Sequence, residues 1–477
     1  MIRHTIGAWV SVGLLTLGGT GVGHAQELPG RAHPSASPTA GGTARGPGRE
    51  ASGPLEEYVP LAALLAEAEA NNREIAAAVK AADAASARIP QAGAPPDPMV
   101  GIGFMNVPVA DPLGSDMMTM TQVQVATVLP WPGKLGLRED VARLRADAAV
   151  WEVERVRDRV TAEVKQNYYR IYFVDRALAV TERNEGLMED FARLTSARYG
   201  VGRGAQPDVL KAQVERTRLA DQLVTLRRQR EGAVARLNAL LARPTETPVQ
   251  ATEFPDDVRV AALTGDAGGP SFAASALSGL VPAEEIDLSL PSTAELQALA
   301  LENSPTIRAL RSRVTAQETT VSLAEAAVLP DLSVSAGYSR RAGLGDFFSV
   351  MVSAPVPVFS GRKQDQAVVE EGAVLGGRRA DLMAVIDDLN AEIASRRAEL
   401  RRAREQLLLL DEGILPQART GLESATAAYQ VGNVDFLTLL DAQVTLYRHE
   451  LDYHRLLADF ADNLAALERA VGTEVLR

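Results

Sequence analysis

Two stretches of this chain repeat one another. Residues 199 to 213 read YGVGRGAQPDVLKAQ and residues 429 to 443 read YQVGNVDFLTLLDAQ, matching without a gap at Tyr199/Tyr429, Val201/Val431, Gly202/Gly432, Leu210/Leu440, Ala212/Ala442 and Gln213/Gln443. Long helical periodicity flanks each copy, and a Val-Gly pair sits at each centre. Glycine adopts the positive φ that ends a helix, and Pro207-Asp208 favours starting the next one in the first copy. The chain therefore reads as a duplicated helical hairpin, which restricts its fold more than any other feature does.

Composition narrows the function. A net charge of -12 over 477 residues argues against a nucleic-acid partner, which needs a clustered basic face. The arginines alternate with carboxylates at helical spacing and read as solvated faces. With no cysteine the chain has no disulfide, no thiolate metal site, no cysteine nucleophile and no acylated cysteine anchor. Residues 1 to 25 read as a secretory signal, with Arg3 and His4 ahead of an apolar run from Ile6 to Leu17 and an exit at Gly23-His24-Ala25. A single membrane anchor is the alternative, but the run is short and broken by Gly7 and Gly13. Residues 26 to 54, rich in Gly, Pro, Ala and Ser, read as a disordered linker.

Two repeats follow, 55 to 242 and 292 to 472, separated by an irregular segment at 243 to 291 and followed by a tail at 473 to 477. Each repeat opens with a helix, expected from Leu55 to about Ile89 and from Thr293 to Leu329, sharing the words EANNREI (69 to 75) and LENSPTI (301 to 307). Proline turns at Pro95-Pro96-Asp97 and Pro330-Asp331 lead into strands. Val100, Ile102 and Phe104 alternate with Met99, Gly101, Gly103 and Met105, as Leu332, Val334, Ala336 and Tyr338 alternate with small polar residues. Second strands are expected over 118 to 129 and 347 to 358. There Thr121, Val123 and Val125 oppose Met118, Met120, Gln122 and Gln124, and Phe348, Val350, Val352, Ala354, Val356 and Val358 oppose Ser349, Met351 and Ser353. Such strands suit a membrane barrel wall or a half-buried soluble sheet. Four strands cannot close a barrel in lipid, so a membrane reading requires oligomerisation, and three copies would supply twelve strands.

The strand pairs exit through LPWPGK (129 to 134) and VPVFSGRK (356 to 363), placing Trp131 and Phe359 where interfacial aromatics are expected. Very long helices follow. No proline interrupts 135 to 198, which at 1.5 Å per residue spans roughly 95 Å. Narrow apolar stripes with charged flanks predict coiled-coil packing. Pro416 aligns with Gly186, which suggests a kink at the same height in both repeats.

The order of helix, strand pair and long hairpin, twice over, resembles the TolC family of outer-membrane efflux proteins. The tip words, the PWPGK turn and ILPQA at 414 to 418 carry the likeness, which covers roughly residues 55 to 472. The resemblance implies a mainly α fold with a small β part, trimeric, with a twelve-stranded β-barrel in the outer membrane continued by an α-helical barrel across the periplasm. It also implies a periplasmic adaptor at the tips, including Val201, Gly202, Val431 and Gly432, and an inner-membrane pump of the RND type. The family's gate commonly reads VDVLDA with two carboxylates. Here Asp441 keeps the second and Thr438 replaces the first. Asp208 and Tyr429 match a closing contact of the family, whose arginine partner falls at Val434, so that part of the lock is expected to be absent. Alternatively, Asp208 only caps a helix and Asp441 is a solvated surface residue.

PWPGK also looks like the heavy-metal branch of the family. Met99, Met105, Met118 and Met120 fall on the expected lumen face, where thioethers could meet soft cations or simply fill space. HELDYH at 449 to 454 fails as a zinc word, since His449 and His454 lie about 140° apart around a helix. No phosphate loop or nucleophile elbow occurs, so no enzyme, cofactor or resident metal is expected. The leading expectation is a passive exit duct for small molecules or metal cations. A duct for protein secretion is the nearest alternative. A soluble periplasmic scaffold is a third, and would need charges on outward strand faces.

Overall fold

Both repeats begin on a helix that the sequence reads as continuous and the fold breaks. The computed structural model describes residues 60–109, 118–249, 254–263, 290–341 and 344–475, so the signal and linker expected before residue 55 lie outside the described residues. Helices α1 (Leu61–Asn71) and α2 (Arg73–Ser86) meet at Asn72, whose backbone is extended. The Asn72 side chain caps α2 by accepting from the Glu74 and Ile75 N–H groups, and its amide donates to the Leu240 carbonyl at 2.8 Å. Helix α3 (Arg88–Gly93) then leads to the first strand.

In the second repeat, where α7 (Thr293–Asn303) and α8 (Pro305–Ala326) meet, the break falls on the equivalent Ser304. A capping residue followed by Arg or Pro ends one helix and starts another, which apolar periodicity alone does not reveal. Between the repeats, Phe254 packs on the first long helix, its ring 5.4 and 5.0 Å from Tyr169 and Tyr172, while the short helix α6 (Asp256–Leu263) packs on the long helices of the second repeat.

Strands β1 (Met99–Met105), β2 (Met120–Leu129), β3 (Leu332–Arg341) and β4 (Phe347–Ser353) form one antiparallel sheet in sequence order, with β1 and β4 as open edges. β4 stops five residues short of the expected end, because Pro355 and Pro357 cannot donate to a ladder. β2 likewise begins at Met120 and leaves Met118 in the preceding turn.

The register places Ile102 opposite Val123, Val123 opposite Tyr338, and Tyr338 opposite Phe348. Val100, Val125, Ala336 and Val350 form the adjoining row. The apolar alternates of all four strands therefore share one face, with Arg340 the only charge on it, at the end remote from the helices.

The helices carry the core. α4 (Lys134–Gly200) is 67 residues long, about 100 Å. It returns through α5 (Gln206–Leu240). Its stripe Val153, Val156, Val160, Val164, Tyr168, Ile171 and Val174 is buried. In the second repeat α9 (Gln364–Leu408) passes through a π-helical turn at Leu409–Ile414 into α10 (Leu415–Val431), and α11 (Phe436–Val471) returns.

Only the second repeat shows the irregularity expected at both. Pro416 has no N–H for the ladder, and the backbone widens just before it. Gly186 keeps its N–H, so α4 runs through it unbroken. The two outgoing helices also differ in partners. α4 lies among α2, α3, α5, α8 and α11, whereas α9 buries no residue before Ile393.

Candidate functional site

The two tips are built alike from backbone alone. Gly202 and Gly432 have φ of +72° and +82°. The Gly202 N–H donates to Tyr199 and that of Arg203 to Arg198, as the Gly432 N–H donates to Tyr429 and that of Asn433 to Ala428. Each tip is thus a Schellman turn, with glycine required by conformation. Val201 and Val431 project from the ends, 71% and 72% exposed.

Side chains break the symmetry. Tyr199 is 49% exposed, while the equivalent Tyr429 is 5% exposed. Tyr429 packs edge-on to Phe436 at 5.9 Å in an apolar cluster with Met188, Phe191, Ala212, Leu219 and Leu439, which joins the two hairpins. The Arg198 guanidinium covers its other face, 4.6 Å from the ring centroid, and also donates to the Tyr429 carbonyl. Burial, more than the opposing charges of Arg198 and Asp208, raises the Tyr429 phenol pKa.

The arginine that meets Tyr429 is thus Arg198, from the other repeat, and not a residue at position 434. Val434 itself packs against the apolar cluster. Asp208 lies in the first turn of α5, where Ala205 is the N-cap. It reaches Tyr429 through its charge, and its side chain is not the helix cap.

Across the tip, Asp435 is the N-cap of α11. Its carboxylate accepts from the Thr438 hydroxyl at 2.6 Å and the Thr438 N–H at 2.9 Å, which holds it below the usual carboxylate range. Asp441 lies one turn beyond Thr438 on the same exposed face. Asp435 thus stands as a second exposed carboxylate near Asp441, with Thr438 between them. Sequence comparison at fixed spacing missed Asp435 because it precedes the aligned word. Further along α11, Gln443 donates to Asn184, and the Tyr447 and Thr181 hydroxyls lie 3.2 Å apart.

At the opposite end, Trp131 and Phe359 both sit where the strands meet the long helices. The Trp131 backbone N–H donates to the Asp331 carboxylate at 3.0 Å, and Phe359 is 76% exposed. Met99, Met105 and Met120 share the small-residue face with Met351, but not one cluster. Met105 is opposite Met120, while Met99 lies six residues along β1, about 20 Å away. Met118 precedes the strand and is 56% exposed. His454 is half-buried between Tyr172 and Tyr453 rather than beside His449.

An antiparallel strand meander with one apolar face, leading into outgoing helices about 100 Å long that return as hairpins, has the build of an outer-membrane duct. The chain belongs to the outer membrane efflux protein family, whose family model matches residues 64–243 and 296–473. It is 26% identical over 429 residues to the cobalt-zinc-cadmium resistance protein CzcC of Cupriavidus metallidurans, covering 89% of this chain and 91% of that protein. Its fold matches the outer-membrane channel OprN with a TM-score of 0.69 at 20% identity, covering 86% of this chain and 89% of that one. It matches CusC with a TM-score of 0.70 at 17% identity, covering 87% and 92%. The protein is an outer-membrane efflux channel, the exit duct of a tripartite system, reaching from the outer membrane into the periplasm. The family is one of channels rather than enzymes.

Proposed function

We propose that three copies close a twelve-stranded barrel and a helical tunnel, forming a passive duct for metal cations. The sheet carries this reading. All four apolar alternations share one face, both sheet edges are open, and lipid tolerates no unpaired edge. Val100, Ile102, Phe104, Phe348, Val350 and Val352, each 63% to 75% exposed in the single chain, would face lipid. The tips, with Val201, Gly202, Val431 and Gly432 at their ends, dock a periplasmic adaptor, which joins the duct to an RND-type pump in the inner membrane.

Metal cargo is supported by the end-to-end similarity to a cobalt-zinc-cadmium resistance protein. Asp435 and Asp441 suit cations as well, since rings of carboxylates concentrate them at a constriction. Asp208, Tyr429 and Arg198 hold the tip closed until the adaptor engages. Met105 and Met120 form a thioether pair on the lumen face, with Met99 further along it, and the turn residue Met118 stands at the mouth.

Planar-bilayer conductance, with oligomer mass measured on the same detergent sample, tests the reading. Trimers giving small cation-selective openings are expected. A folded monomer that gives no openings would overturn it.

A further inference from the structure

The seam between β2 and β3 is locked at its helical end by a buried lysine. β2 ends at Leu129, the Pro-Trp-Pro-Gly turn follows, and Lys134 opens α4. The Lys134 ammonium donates to the Asp331 carboxylate at 2.8 Å and to the Leu329 carbonyl at 2.6 Å, with its side chain 7% exposed. Asp331 immediately precedes β3 and also accepts from Trp131. These bonds hold its pKa below the usual carboxylate range, the Lys134 hydrogen bond contributing most. The lock ties the end of one repeat's second strand to the start of the other repeat's first strand.

The duplicate of this seam is incomplete within one chain. β4 stands in the place of β2, and β1 in the place of β3, but they are the two outer edges of the sheet. Pro96-Asp97 precedes β1 as Pro330-Asp331 precedes β3. That equivalence sets Val100, Ile102 and Phe104 against Val334, Ala336 and Tyr338, residues of the same sheet face. Gly361-Arg362 follows β4 as Gly133-Lys134 follows β2. Asp97 and Arg362 are both exposed, and neither side chain has an ion-pair partner among the described residues. The helical layer has the same gap. α4 is flanked by α2 and α8, whereas α9 packs on α8 and leaves its other flank open as far as Ile393.

We propose that Arg362 of one copy pairs with Asp97 of the next, repeating between copies the lock that Lys134 and Asp331 make within one. This rests on the trimeric barrel proposed above. In a closed ring, β4 of each copy meets β1 of its neighbour as β2 meets β3, bringing the turn after β4 beside the turn before β1. A guanidinium can engage the carboxylate with two donors, which suits a pair joining separate chains. Three such pairs would ring the base of the barrel where strands become helices, fixing the register of each seam.

The chain contains no cysteine, so the full-length double variant Asp97→Cys/Arg362→Cys carries the only thiols. Treating its trimer in detergent with a short bis-maleimide should give covalent dimers and trimers, and neither single variant should. A second measurement uses milder changes. Asp97→Asn and Arg362→Gln should each lower the temperature at which the trimer dissociates in SDS, and the double variant should fall no further than the worse single. A wild-type trimer whose double cysteine variant stays uncross-linked, or whose two neutral variants lower that temperature additively or not at all, would overturn the pair and leave the barrel standing. A wild-type chain that is monomeric by mass would overturn both.

Discussion

The Arg198 guanidinium stacks 4.6 Å from the ring centroid of Tyr429, joining the end of one repeat's outgoing helix to the end of the other's. The two hairpins of one protomer therefore share their tip through a cation and a buried ring, with the Tyr429 carbonyl accepting from the same arginine. Partly desolvated contacts of this kind are worth about 1–2 kcal/mol.

Replacing Arg198 with Ala should loosen the tip without unfolding the chain. Amide exchange in residues 195–203 and 429–438 should accelerate severalfold, and single-channel open probability should rise. Arg198→Lys should recover little, because an ammonium lacks the planar face that stacks on the ring. Unchanged exchange in the Ala variant would remove Arg198 from the lock.

Asp435 and Asp441 make separable contributions to charge. Asp441→Asn should weaken cation preference, read as a shift in reversal potential across a salt gradient, while leaving stability unchanged, because Asp441 is exposed. Asp435→Asn should weaken selectivity similarly but preserve the helix start, since asparagine also caps. Asp435→Ala should lose both. Selectivity equal to wild type in the Asp435/Asp441 double Asn variant would place the selective constriction elsewhere.

The positive φ at Gly202 and Gly432 makes conformation the main requirement there, since an added Cβ would meet open space at 202 and only touch the Arg198 guanidinium, at 3.5 Å, at 432. A β-branched substitution such as Gly432→Val should cost roughly 1–3 kcal/mol locally. It would displace Val431, and cross-linking to the adaptor should fall. Normal adaptor cross-linking with a distorted tip would show that the adaptor grips elsewhere.

Two half-buried titratable groups on the periplasmic helices act in opposite directions with pH. His454 is pushed down to about 4, by burial first and then by the Arg176 and Arg183 charges. Its neutral form is favoured in the folded state. That stability is present above pH 6.5 and is lost as pH falls towards 4, by up to roughly 3 kcal/mol. Asp158 is pushed up to about 6, by burial and by Glu154, with Arg469 opposing. It favours folding below about pH 4, and that contribution is lost as pH rises through 6. Asp158→Asn should therefore raise the melting temperature at pH 8 and leave it nearly unchanged at pH 4. An equal shift at both pH values would show that packing, not charge, governs the site.

The shared apolar face gives a simple contrast for the barrel. Ile102→Lys should block insertion into vesicles, at a cost of about 2–4 kcal/mol near the bilayer midplane. Gln122→Lys, on the opposite face, should insert and shift selectivity towards anions. Equal insertion of both variants would argue against lipid contact on the apolar face.

The sequence by itself determined the duplicated hairpins, the glycine-ended tips and the two-faced strands, because each is local. A glycine needing positive φ, a period of two or of three and four, and a proline-bounded turn are all legible without knowing what lies opposite. Tertiary structure alone decided that Asn72 and Ser304 break their helices, and that Pro416 opens a π-turn where Gly186 passes unnoticed. It also chose Arg198 rather than position 434 to cover Tyr429, buried that ring while leaving Tyr199 exposed, and separated Met99 from the Met105 and Met120 pair. It made Lys134 a buried lock on Asp331. These outcomes depend on which side chains from distant parts of the chain share a volume, and equivalent residues in two repeats diverge when their neighbours differ.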